Sequence, residues 1–241
     1  MSGKITLIID GQEIEAEIGQ TILDAADAAG VYIPRLCAMK GLSPHGSCRV
    51  CTVHVNGRPQ AACTQPVAPG MSIENETPEL KAHRVSVIDM LFVEGNHYCM
   101  FCEKSGNCEL QAVAYRLGIL APQHDYMFPC RGVDASHPEV FIDGNRCILC
   151  GRCVRASQEL DNKNVFQFVG RGIHKRLTFN APNNLSQTDL AGIDKAVDSC
   201  PVGAILRKGT AFSVPIGQRL YDNEPIGSEI ESGRRTNDRQ V

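Results

Sequence analysis

Alternating apolar and polar positions open the chain and predict a small sheet followed by a helix. Residues 4–9 are rich in β-branched side chains, and residues 13–18 alternate apolar with charged ones, the period of a half-buried strand. The Asp-Gly pair at residues 10–11 is a hairpin turn signal. Residues 20–29 then repeat apolar side chains at helical spacing and end before a glycine. The first segment is therefore predicted to be a hairpin packed on a helix.

The same periodicities recur further along the chain and predict mixed secondary structure. They indicate helices over residues 78–94, 108–118 and 189–198, and strand pairs over residues 49–55 with 60–63 and 165–169 with 175–179. Residues 215–241 show no apolar periodicity, and we expect a tail that lies on a partner or is disordered. The pattern as a whole predicts an α+β protein.

Length and charge narrow the class of protein. The 241 residues have room for one large domain or a few small ones. A net charge of −3 leaves no basic field for binding nucleic acid. The apolar run at residues 5–9 is too short for a signal peptide, and the stretch at 85–93 contains Asp89 and is too short for a membrane span. We therefore expect a cytoplasmic protein, in which the twelve cysteines serve as metal ligands and not as disulfides.

The first cysteine group is spaced C-x10-C-x2-C-x11-C and comprises Cys37, Cys48, Cys51 and Cys63. A zinc ribbon would show two C-x2-C pairs, whereas one close pair and a distant fourth cysteine are typical of plant-type [2Fe–2S] ferredoxins. The gap between the first two cysteines is longer than in the plant-type pattern. Residues 1–77 are predicted to be a β-grasp ferredoxin domain with one [2Fe–2S] cluster.

The middle group, Cys99, Cys102 and Cys108, is one ligand short of a [4Fe–4S] site. His97 is the nearest candidate for the fourth ligand, and Cys130 is its rival; a histidine outside any site would instead be a solvated loop residue. Residues 78–120 are predicted to form this helical domain.

The last group, Cys147, Cys150, Cys153 and the distant Cys200 before Pro201, has the spacing of bacterial [4Fe–4S] ferredoxins. All four cysteines are predicted to hold one cluster within residues 121–214, with residues 215–241 as the tail. Several arginines adjoin the cysteines and would either raise the cluster potentials or form ordinary salt bridges. They are Arg35, Arg49, Arg146, Arg152 and Arg155.

No catalytic motif accompanies the cysteines. The sequence contains no G-x-G-x-x-G or G-x-x-x-x-G-K-[ST] phosphate loop, no widely separated cysteine pairs for nickel and no recognisable Ser/His/Asp set. We expect no catalytic residue in this chain, which moves single electrons for an enzyme whose substrate sites lie on other subunits.

The order of the three groups resembles two related families. The phrases GVYIPRLC, GSCRVC, EGNHYCMFCEKSGNCELQAVAY, RCILCGRCV and CPVGAIL are similar to the diaphorase iron–sulfur subunits of soluble NAD-reducing [NiFe] hydrogenases over residues 4–220. They also resemble the N-terminal part of the large iron–sulfur subunit of respiratory complex I, which continues into a domain that this chain has no room for. One departure is that the complex I pattern has its histidine where this sequence has Gly95.

The resemblance implies a cytoplasmic complex in which hydrogen is split on other subunits. The implied partners are a flavin (FMN) and NAD-binding diaphorase subunit, the [NiFe] hydrogenase small subunit and, through it, the large subunit. The two [4Fe–4S] clusters would form the direct route and the [2Fe–2S] cluster would lie to the side.

Other interpretations assign the same cysteines to the relay of a different enzyme complex or to a protein of a different functional class. The partner could be a formate dehydrogenase or a complex I-like NADH dehydrogenase. A zinc-dependent scaffold or a redox sensor with exposed thiols would do no electron transfer.

Overall fold

A five-stranded sheet packed on one helix forms the first third of the chain in the computed structural model, which describes residues 3–233. The strands are β1 (Lys4–Ile9), β2 (Gln12–Glu17), β3 (Thr52–Val55), β4 (Arg58–Ala61) and β5 (Ser72–Glu74), in the order β2-β1-β5-β3-β4. The β1–β5 pair is parallel and the others are antiparallel. Helix α1 (Ile22–Ala28) begins with a capping box between Thr21 and Asp24, which satisfies free backbone N–H groups.

Two helices form the middle of the chain, as the periodicity predicts. They are α2 (Pro78–Glu94) and α3 (Glu109–Leu117), and a 3-10 turn at Cys99–Phe101 lies between them. The Thr77 hydroxyl caps α2, and Gly118 ends α3 in the left-handed conformation that glycine adopts without strain.

The remaining elements surround the last cysteine group. They are β6 (Val133–Asp134), β7 (Val140–Asp143), α4 (Arg152–Glu159), β8 (Phe166–Val169), β9 (Arg176–Phe179), α5 (Lys195–Asp198) and β10 (Ile205–Arg207). The predicted hairpin is present as β8 and β9. The predicted helix over residues 189–198 is wrong in its first half, because Asp194 accepts the N–H of Ala191 and the ammonium of Lys163 and so fixes a turn there.

The expectation of a tail is wrong for residues 215–233, which we call the strap. The strap lies against this chain itself and ends in the short helix α6 (Ser228–Glu231). Its Ile226 is 6% exposed and belongs to the main core, and the backbone N–H of Tyr221 donates to the carbonyl of Gly106. The rest of the predicted tail, residues 234–241, lies outside the described residues.

Two apolar cores hold the fold together. The first lies between the five-stranded sheet and α1. The second joins α2, α3, α4 and β7, with Ile88, Leu110, Ala156 and Val140 all fully buried. The predicted boundary at residue 120 therefore divides the chain without dividing the core. No helix within residues 3–233 has the length and apolar character needed to cross a membrane.

Candidate metal centres

The first cysteine group lies beside the sheet, where Cys37, Cys51 and Cys63 are almost fully buried. The backbone N–H of Cys37 donates to the sulfur of Cys48 over 3.4 Å. Hydrogen bonds from the thiols of Cys48 and Cys63 lower the pKa of Cys37, while the shared proton raises the pKa values of those two partners. Cys63 also shares a hydrogen bond with Cys51, so the four sulfurs form one connected group, as the spacing predicts.

The middle group lines one cavity of about 320 Å³, including space open to solvent. Cys99, Cys102, Cys108 and His97 all contribute to its wall. The buried Nε2 of His97 has no hydrogen-bond partner. Burial, with smaller contributions from Arg146 and Arg131, lowers the pKa of His97 to about 4. The imidazole is therefore neutral at pH 7, which is the form that binds metals.

Two glycines make room for this group. A Cβ atom on Gly203 would lie 2.6 Å from the sulfur of Cys102, closer than real Cβ atoms come. A Cβ on Gly95 would lie 2.5 Å from Nε2 of His97. The ring of His97 thus reaches back to residue 95, the position where the complex I pattern has its histidine. Cys130, the rival ligand, is exposed and is not part of the cavity wall.

The last group lines a second cavity of about 320 Å³, again including space open to solvent. Cys147, Cys150, Cys153 and Cys200 lie in its wall among apolar side chains such as Phe168. Burial raises the pKa of Cys147 to about 11 and that of Cys150 to about 12. Thiolates in such a site need a nearby positive charge, and a bound metal cluster supplies one.

The residues of each group fit an iron–sulfur cluster by their number, their type and their shared cavity or hydrogen bonds. Within the described part of the chain, no three His, Cys, Asp or Glu side chains converge on a point where a single metal ion would fit.

The last group contacts both of the others. Arg155, which follows Cys153 in α4, donates to the carbonyl of Cys37 over 2.6 Å, which joins α4 to the first group. Arg146, which precedes Cys147, lies 3.7 Å from the sulfur of Cys102 in the middle group. The last group is thus linked to the first group through one arginine and to the middle group through another.

Known protein families match all three regions. Residues 2–78 match a 2Fe–2S iron–sulfur cluster binding domain, residues 84–122 an NADH-ubiquinone oxidoreductase-G iron–sulfur binding region, and residues 137–206 the ferredoxin-like domain of NADH-quinone oxidoreductase subunit 3. The gamma subunit of the NAD-reducing hydrogenase HoxS from Cupriavidus necator is 38% identical over 95% of this chain and 98% of its own length. This chain belongs to that family of hydrogenase iron–sulfur subunits.

A solved structure agrees with this assignment. A chain in the crystal structure of an NAD⁺-reducing [NiFe]-hydrogenase in the H2-reduced state superposes with a TM-score of 0.91, at 45% identity, over 96% of this chain and 99% of that one. The predicted α+β class, with its ferredoxin-type and iron–sulfur regions, is confirmed. The alpha subunit of an NADPH-Fe(3+) oxidoreductase from Geobacter sulfurreducens is 33% identical, but this chain spans only 24% of its length.

Three of the arginines singled out in the sequence are ion-paired. Arg35 pairs with Asp27, Arg146 with Glu103 and Asp143, and Arg152 with Glu109. These three arginines therefore do form salt bridges, and a salt bridge does not exclude an effect of the same charge on a nearby cluster. The sequence did not indicate that Arg146 and Arg152 contact groups other than their own. The only sequence signal is a cation within or next to the C-x2-C-x2-C run.

Proposed function

We propose that this chain is the electron relay of the diaphorase module of an NAD-reducing [NiFe] hydrogenase. Cys37, Cys48, Cys51 and Cys63 would hold a [2Fe–2S] cluster. His97, Cys99, Cys102 and Cys108 would hold one [4Fe–4S] cluster, and Cys147, Cys150, Cys153 and Cys200 the other. When bound, each cluster takes up and passes on one electron at a time, which links a site that splits hydrogen to a flavin that reduces NAD⁺.

The unpaired Nε2 of His97 is the observation that carries the ligand assignment. A buried nitrogen without a partner is costly, and here it lies in the same cavity as three cysteines. A neutral imidazole there supplies the fourth ligand that the middle group lacks. The exposed position of Cys130 supports His97 over that cysteine.

The contacts between the groups support a relay in a single line. The resemblance implied that the [2Fe–2S] cluster would lie to the side. The contact of Arg155 with Cys37 and that of Arg146 with Cys102 instead support a position of the last group between the other two. We propose that electrons follow the order first, last, middle, in either direction.

The proposed partners are the FMN and NAD-binding diaphorase subunit and the [NiFe] hydrogenase small subunit, with the large subunit beyond it. The proposed location is the cytoplasm. Large apolar side chains are exposed beside the middle group: Met100 is 85% exposed and Phe101 is 75% exposed. Tyr98 and Phe128 are exposed as well, and both rings contact the ring of Tyr126. Exposed apolar patches of this kind mark protein interfaces, which supports a subunit contact there.

Metal analysis of the protein purified with its partners tests the proposal, together with low-temperature EPR after reduction. We expect about ten irons per chain, from one binuclear and two cubane clusters, and nickel in the complex. The variant Cys200→Ser should lose one cubane signal, whereas Cys130→Ser should keep all three cluster signals.

Iron with molybdenum or tungsten would assign the relay to a formate dehydrogenase. Iron without nickel, molybdenum or tungsten would assign it to a complex I-like dehydrogenase. Zinc in place of iron would overturn the proposal.

A further inference from the structure

One arginine inside the last group contacts residues that adjoin the other two cysteine groups. Arg152 lies between Cys150 and Cys153, at the start of α4. Its Nη2 donates over 2.8 Å to the carbonyl of Ala38, the residue after Cys37. Its two terminal nitrogens also donate to Glu109, the residue after Cys108, over 2.6 and 2.7 Å.

Glu109 extends this contact to a fourth segment. Its backbone N–H donates over 2.9 Å to the carbonyl of Pro201, the residue after Cys200. Arg152 and Glu109 therefore link four segments of the chain, their own two and those of Ala38 and Pro201, and each of these residues adjoins a proposed cluster ligand. Those segments come from all three groups.

The position of Arg152 suits a fixed, buried charge. Its side chain is 5% exposed, whereas that of Glu109 is 26% exposed. The planar guanidinium matches both carboxylate oxygens and still has a donor for a carbonyl, which a lysine ammonium does not reproduce. The remaining donor, Nε, is buried without a partner, so this side chain is held in place at a cost.

We propose that Arg152 is a positioning residue for the relay, which fixes the three cluster loops relative to one another and sets the potential of the last cluster with its charge. Glu109 is the counterion that limits this effect. The inference rests on the proposed function, because it requires clusters in all three groups.

Removal of the charge from either partner should shift the midpoint potential of the last cluster, in opposite directions for the two partners. Removing the guanidinium with Arg152→Gln takes a positive charge from beside the last group, so the midpoint potential of its cluster should become more negative. Removing the carboxylate charge with Glu109→Gln leaves the guanidinium uncompensated, so the same potential should become more positive. A merely structural role would not produce shifts of opposite sign.

The test is a redox titration followed by EPR on the full chain in its complex, with iron content measured on the same samples and freeze-quench EPR for the rate of transfer between clusters. We expect three cluster signals in the unmodified protein, opposite potential shifts in the two variants and at least a tenfold slower transfer between the first and middle clusters in Arg152→Gln. Arg152→Lys should keep most of the native potential but show the slower transfer, because it keeps the positive charge and loses the paired donors of the guanidinium.

Arg116→Gln is the matched control for the loss of a charge. Arg116 also contacts both oxygens of a carboxylate, Glu231, and donates to a carbonyl, that of Ile226, but it joins α3 to the strap and not to a cysteine loop. The variant at Arg116 should leave the midpoint potentials of all three clusters unchanged. If Arg152→Gln fails to assemble, Glu109→Gln decides the question alone. Unchanged potentials in the variants of a protein that holds three clusters would overturn the role of Arg152, whereas an unmodified protein without clusters would overturn the proposed function.

Discussion

At the scale of single residues, burial keeps His97 neutral, the form that its proposed role as a metal ligand requires. Its pKa is lowered to about 4, mainly because the charged ring would lose its hydration. The unpaired Nε2 costs on the order of 1–3 kcal/mol for as long as nothing binds it. A metal at that nitrogen removes the cost, so the site favours its own occupation.

Replacement of His97 by alanine should damage the middle cluster and leave the other two intact. The cavity then lacks its fourth ligand, while the last group has four cysteines of its own. Iron analysis and EPR of the reduced protein measure the outcome, and His174→Ala, at an exposed turn, is the control. Full iron content and an unchanged spectrum in His97→Ala would contradict the assignment and direct attention to Cys130→Ser.

At the scale of elements, α2 is anchored to the sheet by a single buried side chain. Arg84 donates to the carbonyls of Val50 and Thr52, which flank Cys51, and to the backbone and side chain of Asn75. The helix therefore holds the backbone on both sides of a proposed cluster ligand.

The variant Arg84→Met should destabilise the ferredoxin-type unit by about 3 kcal/mol, because buried carbonyls would lose their donor. We expect a lower midpoint for the thermal loss of the [2Fe–2S] absorption. Lys81→Met removes a cation from the exposed side of the same helix and should leave the midpoint unchanged. Equal midpoints for the two variants would show that Arg84 does not anchor the helix.

Local patterns predicted the elements whose partners are near in sequence. The β1–β2 hairpin, α2 and α3 follow directly from periodicity and turn signals. Strand β10 was not predicted, because it pairs with β7 more than sixty residues earlier in the chain, and the parallel β1–β5 pair was missed for the same reason. Nothing in the three residues of β5 identifies them as a central strand.

The candidate sites show the same difference between features that are local in sequence and features that are not. Spacing predicted the three cysteine groups, because neighbouring ligands share a loop. The contacts between the groups, including those of Arg152, were not predictable, since they depend on where Ala38 and Glu109 lie in the fold. The strap was missed because its contacts are isolated backbone and side-chain contacts and not those of a periodic face.

At the scale of the whole molecule, the strap joins regions that are far apart in sequence. Arg219 donates to the carbonyl of Ser105 in the loop between Cys102 and Cys108. Further along, Gly227 lies against the ring of Tyr32, so close that a Cβ atom would overlap it. The strap therefore covers both the middle group and the edge of the ferredoxin-type unit.

The variant Ile226→Asp should detach the strap, because it buries a charge at a position that is 6% exposed. A loss of about 3 kcal/mol would raise the detached population on the order of 100-fold. Limited trypsin digestion after Arg219 measures this population. Ile216→Asp, at a strap residue that is 85% exposed, is the matched control and should digest like the unmodified protein. Equal digestion of both variants would show that Ile226 does not hold the strap.

The contacts of the last group with both of the others bear on how the protein is made. Both other groups have all their proposed ligands once residue 108 has left the ribosome, whereas the last group waits for Cys200. The two ends of the proposed relay are thus synthesised before the part that joins them. Because segments fold in the order in which they emerge, Ala38 and Glu109 remain without their shared guanidinium until residue 152 arrives. In the proposed relay, both other clusters can therefore be inserted before that of the last group, and the path is complete only once Cys200 has been synthesised.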